Sequence, residues 1–111
     1  MIYQIKNLTE FNTSINDNRA LLIYFSHDNC SVCKVLKPKI HELLTTQFPL
    51  MTMHYCDTIE SPDVAAQNSV FTVPTILVFL DGKEFIRKSR SIGIAELHNI
   101  IERPYLLMFT E

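Results

Sequence analysis

The chain has 111 residues, enough for one domain with its own core, and 47% hydrophobic against 20% charged residues excludes a disordered chain. The net charge of −2, with no cluster of Lys or Arg, makes nucleic acid and anionic membrane poor partners. Three cysteines do not suit a disulfide-stapled secreted scaffold. The N-terminus, Met1-Ile2-Tyr3-Gln4-Ile5-Lys6, lacks the basic-then-apolar layout of a leader, and no apolar run approaches membrane-spanning length. A bacterial cytosolic protein is expected, although a mature domain freed of a leader would look the same.

In chain order, Ile2-Tyr3-Gln4-Ile5 alternates and predicts a short strand. Thr9 is placed to cap a helix reaching about Asn18, with Leu8, Phe11 and Ile15 on one face. Ala20 to Phe25 is continuously apolar, as in a strand covered on both faces. A second helix is expected from Cys30 or Ser31 to about Gln47, kinked at Pro38, with Val32, Val35, Leu36, Ile40, Leu43, Leu44 and Phe48 as its core stripe. Leu50 to Cys56 predicts a third strand. Ser61-Pro62 reads as a cap followed by proline at the first position of a short helix to about Asn68. Strands at Thr75 to Leu80 and Glu84 to Ser89 are joined by Asp81-Gly82, and a last helix runs from about Ile94 to Glu102, with Leu97, Ile100 and Ile101 inward. Strands alternating with helices imply an α/β fold: a central mixed five-stranded sheet flanked by about four helices, in one domain over residues 1–111.

The chemistry gathers at Cys30-Ser31-Val32-Cys33-Lys34, where the buried strand gives way to the helix. A C-x-x-C pair in that setting reads as a redox couple. A thiol in the first turn of a helix faces unpaired N–H groups and the positive end of the macrodipole, which favour the attacking thiolate. Lys34 adds a positive charge one turn on. Cys33 shares the helical face of Cys30 and points further inward.

Forty residues downstream, Thr72-Val73-Pro74-Thr75 sets a proline at the mouth of an apolar strand, where it marks the first residue or a turn and is a candidate for a cis bond. With Pro38, Asp81-Gly82 and Gly93, these segments resemble the thioredoxin family over most of the chain. The opening strand and helix favour thioredoxin proper over glutaredoxin. The resemblance implies a thioredoxin fold and a thiol–disulfide oxidoreductase. Cys30 attacks a substrate disulfide, Cys33 resolves the mixed disulfide, the Val73 backbone pairs with an extended substrate segment, Pro74 shields the thiols, and Gly93 leaves room for the substrate chain. It implies no bound cofactor, disulfide-containing protein substrates, and a separate thioredoxin reductase or a thiol as electron donor.

The chain departs from that pattern in ways that matter. The loop before Cys30 holds Ser26 and Asn29 where the family carries tryptophans, and the chain contains no Trp. Between the cysteines stands Ser31-Val32. The family's buried acid and its neighbouring lysine are replaced by Tyr24 and Tyr55. A phenol with a reference pKa of about 10 is a poor base near neutral pH, and Asp57, two residues beyond Tyr55, is a candidate substitute. His27, if protonated, would favour the Cys30 thiolate, and Asp28 would oppose it.

Two other readings stand beside this one. His27, Cys30 and Cys33 are spaced H-x-x-C-x-x-C, and Cys56 completes four potential zinc ligands. Otherwise Cys56 packs as a small hydrophobe in its strand. The fold is also open to use as a partner-binding module without redox activity. His41, His54 and His98 read as surface or packing residues. The apolar tail from Pro104 to Phe109 reads as extra core after the last helix or as the surface of a weak dimer of an otherwise monomeric chain.

Overall fold

A computed structural model describes residues 1–110. Along them run β1 (Ile2–Gln4), α1 (Leu8–Asp17), β2 (Ala20–Ser26), α2 (Ser31–Gln47), β3 (Thr52–Asp57), α3 (Pro62–Gln67), β4 (Thr75–Leu80), β5 (Lys83–Ser89) and α4 (Ile94–Phe109). The strands form one mixed sheet in the order β1-β3-β2-β4-β5, with β1 and β2 parallel to β3 and the β4–β5 hairpin antiparallel. The α/β architecture with five strands and four helices is as the sequence predicts.

Alternation along β2 and β3 divides the core in two. Leu22, Tyr24, Met53 and Tyr55 face α2 and α4 with Cys33, Leu36, Ile40, Leu97 and Ile101. Leu21, Ile23, Phe25 and Cys56 face α1 and α3 with Phe11, Val64 and Ala65. β2 is buried along its whole length, as its unbroken apolar run requires. The hairpin turns on Asp81 (φ 51°) and Gly82 (φ 81°), both left-handed, the conformation in which a two-residue loop matches the twist of its strands.

Several local expectations are corrected. Asn7, not Thr9, caps α1: its Oδ1 accepts the Glu10 N–H at 2.8 Å, and Glu10 reaches back to the Lys6 N–H at 2.7 Å. Val32 and Val35 are exposed rather than core, because the stripe that meets the sheet is Cys33, Leu36, Ile40, Leu43 and Leu44. β3 begins at Thr52, leaving Leu50 exposed. Ser61 precedes α3 but its hydroxyl donates to the Lys6 carbonyl at 2.9 Å instead of capping the helix.

The largest correction is at the C-terminus. α4 does not stop at Glu102 but runs through Pro104 to Phe109. Pro104 offers no N–H to the Ile100 carbonyl, a loss that by itself argues for a helix end. Burial of Tyr105 offsets it: the ring packs edge-on against Phe48 at 5.0 Å, and its hydroxyl accepts the Leu50 N–H at 3.0 Å. The tail is therefore helical core along one side and exposed at Leu106 and Leu107 along the other. Glu111 lies outside the described residues.

Candidate active site

Cys30 is the residue on which β2 hands over to α2. Its backbone is extended (φ −98°, ψ 104°), its Sγ accepts the Cys33 N–H at 3.2 Å, and its carbonyl accepts the Lys34 N–H at 3.2 Å. A sulfur thus takes the place of the usual cap oxygen, facing the orphan donors and the positive end of a 17-residue helix. Cys30 and Cys33 are joined in a disulfide with their Cα atoms 5.2 Å apart. Cys33 is only 1% exposed whereas Cys30 is half-buried, so Cys30 is the sulfur that an incoming group reaches.

Beneath the disulfide lie two tyrosines, register partners on β2 and β3 with ring centroids 6.4 Å apart. The Tyr24 hydroxyl is fully buried and donates to the Cys33 carbonyl at 2.8 Å. Burial, and then the neighbouring Tyr55, push its pKa far above the ordinary phenol value, so it acts as a fixed donor holding the first turn of α2. The Tyr55 hydroxyl accepts from Ser26 Oγ at 3.2 Å. Burial raises the Tyr55 pKa, the Ser26 contact lowers it, and the Asp57 and Asp28 charges add to the rise.

Lys37, which the sequence reading passed over, lies with Nζ 3.7 Å from the centre of the Tyr55 ring. The signal was available, because Lys37 follows Cys33 by four residues and so shares its helical face. Asp57 is turned onto the chain that follows it, Oδ1 accepting the Ile59 and Glu60 N–H groups at 2.8 and 3.0 Å. Lys34 is exposed.

The Val73–Pro74 bond is cis, and Val73 and Pro74 line a groove of about 580 Å³ with Val32, Arg90, Ile92 and Gly93. A Cβ built at Gly93 would meet only Glu96 Cβ at 3.9 Å, so the absence of a side chain there opens the groove rather than relieving crowding. On the other side of the proline loop a smaller cavity of about 270 Å³ is lined by His27, Thr58, Pro62, Phe71 and Val73. The His27 ring faces this cavity, and its Nδ1 is buried without a hydrogen-bond partner. Phe71 is 81% exposed at its rim, an aromatic surface three residues before the cis-proline in a chain that lacks tryptophan.

The zinc reading is not favoured. Among the described residues no three His, Cys, Asp or Glu side chains gather as ligands. Cys56 lies on the α1/α3 side of the sheet while Cys33 lies on the α2/α4 side, so the fourth ligand is on the wrong face. Burial, with the Asp57 and Asp63 charges, pushes the Cys56 thiol up to about 12, which leaves it protonated and inert. Nor is any helix in the described residues long and apolar enough to cross a membrane.

The thioredoxin family model matches residues 3–103. A thioredoxin-like protein of Bacillus subtilis, YdfQ, is 32% identical over 103 residues, covering 93% of this chain and 91% of its own. Thioredoxin-1 of Saccharomyces cerevisiae is 34% identical over 84 residues, covering 76% and 81%. The crystal structure of oxidised mitochondrial thioredoxin 3 from the same yeast superposes with a TM-score of 0.83 at 31% identity, covering 91% and 93%. The chain belongs to the thioredoxin family. With its Cys30–Cys33 pair it is a thiol–disulfide oxidoreductase of thioredoxin fold, and the adaptor reading, which has no use for two cysteines at a helix start, falls away.

Proposed function

We propose that the protein reduces disulfides in proteins, with Cys30 as nucleophile and Cys33 as resolving thiol. In the reduced protein the Cys30 thiolate attacks one sulfur of a substrate disulfide. A Cys30–substrate bond forms, the substrate bond breaks, and the second substrate sulfur leaves as a thiolate that takes up a proton. Cys33 then loses its proton and attacks Cys30, closing the disulfide and releasing the first substrate sulfur. The balance is one substrate disulfide to two thiols and one dithiol to a disulfide. A thioredoxin reductase or a thiol returns the two electrons, no bound cofactor takes part, and the chain works in the cytosol as a monomer or weak dimer.

The observation that carries the roles is Cys30 Sγ in the cap position, accepting the Cys33 N–H, with Cys33 buried behind it. An extended substrate segment lies along Val73, over Pro74 and past Gly93, with Phe71 and Val32 as apolar contacts on either side. Lys34 lends charge to the cap region. The C-terminal helix, with Leu106 and Leu107 outward, is the face on which a weak dimer would form. The test is trapping with a peptide disulfide. Cys33→Ser accumulates a mixed disulfide through Cys30 and Cys30→Ser accumulates almost none; equal trapping by both overturns the assignment.

A further inference from the structure

Arg90 stands where the β5–α4 loop meets the proline loop. Its backbone is left-handed (φ 65°), a conformation disfavoured for a residue with a Cβ. Its N–H donates to the Pro74 carbonyl at 2.8 Å, which ties the loop to the segment beside the cysteines. The side chain is exposed and lines the groove formed by Val32, Val73, Ile92 and Gly93. Its neighbours are neutralised: Arg87 pairs with Glu84 at 2.8 Å and Lys88 with Glu96 at 3.4 Å. Among the described residues Arg90 has no such partner. The other side of the proline loop is of opposite sign, with exposed Asp28, Glu60 and Asp63 on the segments that border the smaller cavity.

We propose that Arg90 is a specificity residue: it selects disulfides that carry an acidic side chain one or two residues from the attacked cysteine, on the side of the chain that lies toward Gly93. This rests on the reading of the groove as the substrate's berth. Strained backbone is found where functional demands override local preference, and here the strain carries an unpaired cation into the wall of that groove. An acidic residue gains an ion pair with Arg90, while a lysine at the same place meets it as a like charge. Such partly exposed pairs are weak and salt-screened, so the preference is a bias in rate, not an absolute gate.

The experiment uses a set of disulfide-linked peptides differing only in Glu or Lys placed before or after the cysteine, with an uncharged parent peptide. At low salt the protein is expected to reduce the Glu peptide about three- to tenfold faster than its Lys counterpart at one of the two positions. Arg90→Glu inverts that ratio, Arg90→Gln brings it close to one, and 1 M salt applied to the unaltered protein does the same. Equal rates for Glu and Lys at both positions, or a preference that survives Arg90→Gln, overturns the role of Arg90. Failure to reduce the uncharged parent peptide overturns the berth itself and is read separately.

Discussion

Each face of the sheet has a cysteine buried against it, Cys33 of α2 on one and Cys56 of β3 on the other, and only one face works. Tyr24 and Phe25 are adjacent on β2 and Tyr55 and Cys56 on β3, yet alternation sends the tyrosines under the disulfide and Cys56 to the opposite core. Cys56 is fully buried and surrounded by Phe25, Val64 and Ala65, with nothing to favour its thiolate. Cys30 sits at a helix start with an N–H aimed at its sulfur. Thiol chemistry here is decided by oriented donors, and burial without them silences it.

The largest effect expected from this contrast is in catalysis. Cys30→Ser is expected to abolish disulfide exchange, while Cys56→Ala keeps the rate within about twofold and costs about 1 kcal/mol for the small cavity it leaves. Alkylation of the reduced protein checks the same point: Cys30 is modified first, and Cys56 only after unfolding. Rapid modification of Cys56 in the folded protein would erase the distinction between the faces.

Next in size is Tyr24→Asp. Tyr24 is 0% exposed, and replacing it with a carboxylate empties ring volume and buries an ionisable group, for an expected loss of about 3–5 kcal/mol. A carboxyl held there has its pKa raised and becomes a proton acceptor close to Cys33 near neutral pH. Mixed disulfides are therefore expected to resolve faster around pH 7 despite the lost stability. Paired urea denaturation and single-turnover kinetics from pH 6 to 9 check both halves. A variant that is less stable but no faster would show that the two-tyrosine face already has its acceptor.

Both faces contribute to a third effect, at high pH. Cys56 ionises near 9 when unfolded and is pushed up to about 12 by burial in the fold, and Tyr24 and Tyr55 are also raised. Between those values the unfolded chain has released protons that the folded chain keeps, so it binds fewer, and stability falls as pH rises. The contribution is complete below about pH 9 and lost progressively through pH 12. By pH 11 the loss from Cys56 is about 3 kcal/mol, two pH units at about 1.4 kcal/mol each. Urea midpoints from pH 8 to 11 measure it, and Cys56→Ala with Tyr24→Phe flattens the slope.

Much of this was legible in the chain. The unbroken run at Ala20–Phe25, the C-x-x-C at its end, and the proline before Thr75 are local signals, and the fold places them where the sequence puts them. The misses are long-range. Pro104 signals a helix end, but Tyr105 docking on Phe48, more than fifty positions away in the chain, carries the helix past it. Val32 and Val35 are apolar at near-helical spacing, yet they fall outside the stripe because Cys33, not Val32, sets the buried face of α2. Arg90 and Phe71 are ordinary residues in sequence and acquire meaning only because the fold sets them on cavities that share Val73 at the proline loop.

The smallest effect concerns Lys37 and sharpens the contrast most closely. The family's lysine on the third strand is absent, and Tyr55 stands in its place, but an ammonium group still reaches the region, from α2 and over the face of the Tyr55 ring. The quadrupole of that ring attracts the cation, and a partly exposed pair of this kind contributes about 0.5–1 kcal/mol. Lys37 also covers the ring with its methylene stem, so a single truncation mixes packing with charge. Lys37→Met keeps most of the stem and removes the charge, and Tyr55→Leu removes the ring face. If the attraction is as the geometry describes, the double variant loses less than the sum of the two by about that amount, and high salt leaves the coupling largely intact because the contact is half-buried. Strict additivity would mean that Lys37 merely covers Tyr55, and that its charge contributes nothing to this face of the sheet.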